Sequence, residues 1–192
     1  MKILLLGPPN EKIAGILTED GHHVLEKESH VDVQFLKEKK IDFAVSYGYR
    51  HIIKTDVLHH LKDRIINLHI SYLPWNRGAD PNLWSFLEDT PKGVTIHYVD
   101  EGIDTGDIIA QKLVEFDVSR ETLRTTYGKL SKEIIALFQE TWSSIVNGQV
   151  TAKKQIGKGT FHKLSDKDRF KYLLSNSWDT PVENLLGKAL LK

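Results

Sequence analysis

Asn67 and His69 stand two residues apart at the end of the apolar run Ile65-Ile66-Asn67-Leu68-His69. In an extended strand alternate side chains share a face, so the amide and the imidazole lie side by side. Each needs polar partners once taken out of water. Ser71-Tyr72-Leu73-Pro74 turns the chain away directly afterwards, which leaves the pair facing a cleft beyond the strand end. A second polar concentration is Asp100-Glu101-Gly102-Ile103-Asp104-Thr105-Gly106-Asp107, with four acids and two glycines in eight residues. Three readings are open for it: a solvated hairpin loop, a metal loop, or a loop with one carboxylate turned inward toward the Asn–His pair. The metal reading ranks low, because Ca²⁺-loop spacing and a closing glutamate are missing.

With a carboxylate turned inward, the set suits acyl transfer to an amine. Attack on a formyl carbon creates an oxyanion, to which an amide NH₂ and a protonated imidazole can donate. One such donor is worth roughly a hundred- to a thousandfold in rate. The carboxylate can orient the imidazole and accept the amine's proton, directly or through water; such help is worth roughly a hundred- to ten-thousandfold. No serine or cysteine nucleophile is required, and Ser71 lacks the glycines of a nucleophile elbow.

Around these residues, short apolar strands alternate with helices. Ile3–Leu6 reads as a buried strand entering the loop Gly7-Pro8-Pro9-Asn10. Residues 10–20 place Ile13, Ile16 and Leu17 on one helical face that Gly21 ends. His22–Leu25 is a short strand, and Val33, Leu36 and Lys37 suit a short helix. Phe43-Ala44-Val45 is a strand broken by Tyr47-Gly48-Tyr49, and Thr55 caps a helical stretch through Leu61. Continuous apolar strands in this alternation predict an α/β fold with an open, mostly parallel sheet and flanking helices. In such sheets ligands sit beyond the carboxyl ends of the strands, where Asn67 and His69 fall. Residues 70–82 read as an ordered loop, Asn82–Leu87 as a helix, and Val94–Val99 with Ile108–Val114 as a returning strand pair. Residues 121–146 form the longest helix, with Leu123, Tyr127, Leu130, Ile134, Leu137, Phe138 and Ile145 at helical spacing. Beyond Gly148 the texture turns polar and basic, with a short helix near Asp166–Leu174 that Ser165 could cap. This divides the chain into residues 1–148 and a C-terminal extension, 149–192.

At 192 residues and 40% apolar, the chain can bury a core. Its 26 basic residues balance 26 acidic ones, which argues against a nucleic-acid footprint. It has no cysteine, hence no disulfide or thiolate chemistry. No apolar run approaches a membrane span or a signal peptide, so the default is a soluble cytoplasmic protein. His22-His23 and His59-His60 invite a metal reading. Adjacent residues point apart in strand or helix, however, and no Asp, Glu or Cys set accompanies them, so no metal is expected. His97 lies near the site in sequence; on an alternating strand it reads first as packing or sheet-face exposure, with a functional role as the alternative. Trp75 and Trp84 could stack on a sugar or base, or fill a core or interface. Arg77 could reach a phosphate or pair with Asp80. Lys153, Lys154 and Lys158 read as a solvated basic run.

Asn67-Leu68-His69-Ile70-Ser71-Tyr72-Leu73-Pro74, then Arg77-Gly78, Gly93-Val94-Thr95-Ile96-His97 and Asp100 to Gly106, resemble the folate-dependent formyltransferase family. Its signature is Asn-x-His, a Ser-Leu-Leu-Pro-like turn and an Asp-x-Gly after a strand. The resemblance implies a Rossmann-like N-terminal half and 10-formyltetrahydrofolate as formyl donor. It singles out Asn67, His69 and Asp104 as the catalytic triple. It implies folate contacts from Tyr49, Arg50, His51 and Ile52, and from Tyr98, Asp100 and Ile103. The loop Tyr72 to Asn82 is similar to the branch acting on nucleotide-linked amino sugars in surface polysaccharide and lipopolysaccharide biosynthesis. That branch implies acceptor contacts from Pro9, Asn10, Tyr72, Trp75, Arg77 and Asn82, a cytoplasmic homodimer, and no nucleic acid or membrane partner. The alternatives are a methionyl-tRNA or glycinamide ribonucleotide formyltransferase, and a folate- or nucleotide-binding module without catalysis.

Overall fold

A computed structural model describes residues 1–190. The elements in chain order are β1 (Lys2–Leu6), α1 (Glu11–Glu19), β2 (His23–Lys27), α2 (Val33–Lys39), β3 (Phe43–Ser46), α3 (Thr55–Leu61) and β4 (Ile65–His69). They continue with β5 (Arg77–Gly78), α4 (Pro81–Leu87), β6 (Gly93–Tyr98), β7 (Ile108–Leu113), α5 (Leu123–Val146) and β8 (Phe161–His162). Three 3₁₀ stretches close the described chain, at Leu164–Leu173, Ser177–Asp179 and Val182–Asn184.

Six strands form one sheet in the order β2-β1-β3-β4-β6-β7. The first four are parallel, joined by the crossovers α1, α2 and α3, whereas β6 runs antiparallel to both of its neighbours, β4 and β7. This is the expected open, mostly parallel Rossmann-like sheet. Strand alternation divides its residues between two apolar layers. Ile3, Leu5, Ile66, Leu68, Val94 and Ile96 pack beneath α1 and α5. Leu4, Leu6, Ala44 and Ile65 pack beneath α2 and α3. Because Ile65 faces the second layer, Asn67 and His69 share that face with it. The β4–β6 register sets His97 opposite Asn67 and Thr95 opposite His69, so both join them there.

A third apolar cluster lies outside the sheet. Leu83, Trp84, Phe86 and Leu87 of α4 and Leu123 of α5 are covered by Phe170, Val182 and Leu185 from the C-terminal segment. The same segment supplies β8, which pairs in parallel with β5 inside what reads in sequence as plain loop. Helix starts differ from the sequence reading by small steps. Asn10 caps α1, its side chain accepting from the Ile13 N–H at 3.1 Å. Lys54, not Thr55, occupies the cap position of α3. Lys163, not Ser165, occupies the cap position of the Leu164–Leu173 stretch, and Asp166 three residues on accepts from its N–H. Tyr127, expected inside, is 45% exposed beside Trp178.

Candidate active site

Asp104 sits in a turn with a left-handed φ of 54°, and this aims its carboxylate across the strand ends. Its Oδ1 accepts from Asn67 Nδ2 at 3.1 Å, and its Oδ2 accepts from the Gly78 backbone N–H at 2.8 Å. His69 Nδ1 lies 3.8 Å from Oδ2, and His97 Nε2 lies 3.5 Å from Oδ1. Of the four acids in the loop, this is the one turned inward. Asp100 instead closes its own loop, accepting from the Gly102 N–H and the Thr105 hydroxyl.

The partners assign the protons. A carbonyl only accepts, so the Asn76 oxygen, 3.2 Å from His69 Nε2, places the ring hydrogen there and leaves Nδ1 bare. By the same argument the Tyr98 oxygen, 2.7 Å from His97 Nδ1, leaves His97 Nε2 to accept from Asn67 Nδ2 at 3.2 Å. Both Asn67 amide hydrogens are therefore directed at internal partners. Burial pushes the His69 pKa down, and the nearby Asp104 charge opposes this without overcoming it. Burial works against the Asp104 carboxylate too, but His69, His97 and the Gly78 N–H outweigh it and hold its pKa well below the usual range. Asp104 is thus the charged member of the pair, and burial favours the neutral form of the His69 ring beside it.

Two hollows meet at this point. The larger, about 760 Å³, is lined by Tyr49, Arg50, His51 and Ile52 on one rim and by Asp100 and Ile103 on another. The smaller, about 290 Å³, takes Pro8, His69, Asn82, Tyr127 and Trp178. Asn67, Gly78, Asp80 and Asp104 line both. Ile52 and Ile103 expose their apolar side chains on loops of the larger hollow, a setting suited to a flat ring system.

Other expected contacts fall elsewhere. Tyr98 lines neither hollow, and Pro9, Asn10, Tyr72, Trp75 and Arg77 are also absent from their walls. The reasons are local. Asn10 is occupied as a helix cap, and the Arg77 guanidinium donates to Gln155 through Nε and Nη2. Asn82 does line the smaller hollow, although its amide nitrogen donates to the Leu123 carbonyl. Trp84 is fully buried and stacks on His162 at 3.6 Å between ring centroids. Among the described residues no group of three or more His, Cys, Asp or Glu is placed to hold a metal ion. Sequence reasoning missed His97, Gly78, Trp178 and Gln155 as site residues. Gly78 and His97 had carried a signal, as parts of the Arg77-Gly78 and Gly93–His97 motifs.

Comparison with known proteins agrees with this geometry. The formyl transferase family model matches residues 19–141. A methionyl-tRNA formyltransferase of Thermodesulfovibrio yellowstonii is 33% identical over 177 residues, covering 90% of this chain and 56% of its own length. The chain spans about half the length of the curated relatives it matches. The formyltransferase PseJ from Anoxybacillus kamchatkensis, crystallised with UDP-4,6-dideoxy-4-formamido-L-AltNAc and tetrahydrofolate, is 50% identical with a TM-score of 0.95. That match covers 98% of this chain and 100% of PseJ. A 4-N formyltransferase from Francisella tularensis shares the fold at TM-score 0.76 and 24% identity, covering 88% of this chain and 78% of its own. With its family model spanning well over half of the sequence, the chain belongs to the formyl transferase family.

Proposed function

We propose that this protein is an N-formyltransferase that moves a formyl group from 10-formyltetrahydrofolate to the amine of a nucleotide-linked amino-deoxy sugar. The observation that carries this reading is the facing of His69 Nδ1 and Asp104 Oδ2, two acceptors 3.8 Å apart where the two hollows meet. Two facing acceptors suit an incoming N–H donor, and an amine is the nucleophile that must shed a proton here. The sugar acceptor is supported by the 50% identity to PseJ over nearly the whole chain.

In the reaction the amine nitrogen bonds to the formyl carbon of the co-substrate, and the bond from that carbon to the folate nitrogen breaks. His69 Nδ1 takes the proton released by the amine, and Asp104 stabilises the imidazolium so formed. The Asn76 carbonyl keeps the ring oriented through Nε2. The same proton then passes to the departing folate nitrogen, giving a formamide and tetrahydrofolate. Asn67 holds Oδ1 of Asp104 and exchanges its contact with His97 for the developing oxyanion. Tyr49 to Ile52 and Asp100 to Ile103 would flank the folate; Tyr127, Trp178 and Asn82 would border the acceptor. Residues 1–148 supply the chemistry, and the C-terminal segment supplies a wall of both hollows.

Formyl transfer from 10-formyltetrahydrofolate to a panel of nucleotide-linked amino sugars tests this. One acceptor should turn over, and Asn67→Ala, His69→Ala and Asp104→Ala should each lower kcat by about a hundredfold or more. Unchanged turnover in all three would sink the mechanism. Formylation of initiator methionyl-tRNA with no sugar product would sink the acceptor. The curated relatives favour that second reading, but the balance of 26 basic against 26 acidic residues argues against a broad basic footprint for tRNA.

We place the reaction in the cytoplasm, since both charged reactants would need carriers to cross a membrane, and its product in surface polysaccharide assembly. Among the described residues no helix is long and apolar enough to cross a membrane. Exposed Leu164 and Tyr172 on the C-terminal segment support a homodimer, for which light scattering should give twice 21.9 kDa.

A further inference from the structure

Gln155 lies 51 residues after Asp104, on the C-terminal segment, with no part in either hollow. Its Nε2 donates to the carbonyl oxygens of Asp104 at 2.8 Å and Gly106 at 2.9 Å. Its Oε1 accepts from Arg77 Nε at 3.0 Å and from Nη2 at 2.8 Å. A glutamine amide has two donor hydrogens and two acceptor lone pairs, and all four are in use. No shorter, charged or purely accepting side chain could make this set. Glutamate would keep Arg77 but lose both carbonyls; lysine would keep the carbonyls but repel Arg77.

These bonds close a circuit around the site. Asp104 Oδ2 accepts from the Gly78 N–H, Gly78 follows Arg77 in the chain, Arg77 donates to Gln155, and Gln155 donates to the Asp104 carbonyl. The conformation held is one that a residue with a Cβ resists: Asp104 has φ 54°, in the left-handed region. Two residues on, Gly106 approaches so closely that a Cβ there would lie 1.8 Å from the Tyr98 oxygen. Tying down both carbonyls of such a turn fixes where its carboxylate points. We propose that Gln155 is a positioning residue for the transfer reaction, clamping the Asp104–Gly106 turn and Arg77 together so that the carboxylate stays aimed at Asn67 and His69.

The inference rests on the formyl-transfer reading for its kinetic consequence, but not for its structural one. Gln155→Met keeps the side-chain length and removes all four bonds. Gln155→Glu keeps the Arg77 contact and removes both donors. Both should lower kcat about 10- to 100-fold, as expected for a catalytic group displaced by about an ångström, with KM for folate and acceptor within about threefold. In Gln155→Met the acid limb of kcat should also move to lower pH, because a displaced Asp104 no longer supports the His69 imidazolium. Amide hydrogen exchange at Gly78 should quicken about tenfold or more in both variants, whether or not a substrate has been found. Normal exchange at Gly78 in a folded variant would overturn the proposal. So would unchanged kcat, or a loss confined to KM. If the wild type formylates nothing in the panel while Gly78 exchange still quickens, the functional reading fails and the clamp stands. Should Gln155→Met fail to fold, Gln155→Glu decides on the same readouts.

Discussion

His69 is useful because it is both buried and incompletely matched. Burial lowers its pKa below the ordinary 6.5, so the ring is neutral where most histidines begin to charge. The acid limb of kcat/KM should therefore have its midpoint below 6.5. A midpoint above 6.5 would mean that the Asp104 charge, not burial, sets the pKa of the ring. Stability follows the same sign. Between the folded and unfolded pKa values the unfolded chain binds more protons at this position, so unfolding is favoured as pH falls below 6.5. Asp104 behaves alike in a lower window: its contribution is present above its unfolded value of 3.8 and is lost as pH falls through the depressed folded one. Urea midpoints of wild type and His69→Gln should converge as pH drops from 8 to 5.5; parallel curves would remove His69 as a source of the slope. Asn67 and His69 could be read from a two-residue spacing. Asp104 could be told from its three acidic neighbours only by family resemblance, because φ and contacts are not written in composition. His97 was read as packing because nothing local announces that it will register against Asn67.

The element that most directly places the carboxylate is the two-residue ribbon β5–β8. Arg77 pairs with Phe161 and Gly78 with His162. Gly78 adopts φ 87°, and a Cβ there would lie 2.3 Å from the His162 oxygen, so both conformation and space require glycine. The ribbon is anchored on α4, where His162 stacks on Trp84 and its Nε2 lies 3.2 Å from the Glu88 carboxylate. Gly78→Ala should push β8 away and turn the N–H off Asp104. The expected result is a loss of about 1–3 kcal/mol in stability and of about tenfold or more in kcat. Wild-type urea midpoint and turnover in Gly78→Ala would show that the ribbon does not aim the carboxylate. The main strands and crossover helices were legible in advance because each is long enough to show a period. β5 and β8 were not: two residues carry no alternation, and their partner lies more than eighty residues away. The misplaced caps at Thr55 and Ser165 have a similar cause, since several adjacent polar residues compete for one position.

Across the whole molecule, the C-terminal segment reads in sequence as an extension but is built into the fold. Phe170, Val182 and Leu185 are buried against α4 and the start of α5. At about 1.5–3 kcal/mol for each large apolar side chain removed from water, their contribution is comparable with the whole stability of a typical domain, about 5–15 kcal/mol. Backbone bonds tighten the contact. The Ala189 N–H donates to the Leu87 carbonyl at the end of α4, and the Gly187 N–H to the Phe86 carbonyl, which also accepts from the Asp89 N–H. The Leu123 N–H at the start of α5 likewise reaches the Thr180 carbonyl. Composition suggested a boundary near Gly148 because the segment is polar overall, and its few buried residues are too widely spaced to show a period. A chain ending at Gly148 should accordingly expose Leu83, Trp84, Phe86 and Leu87, lose Gln155 and β8, and melt well below the full chain. Circular dichroism melts and limited proteolysis of the two chains side by side would check this. A truncated chain with the full chain's Tm and turnover would mean that residues 1–148 form the site alone. Trp84→Ala in the full chain isolates the same layer without shortening it. It should cost about 3–5 kcal/mol, with loss of turnover alongside if the stack on His162 also holds β8, and through it Gly78, in place.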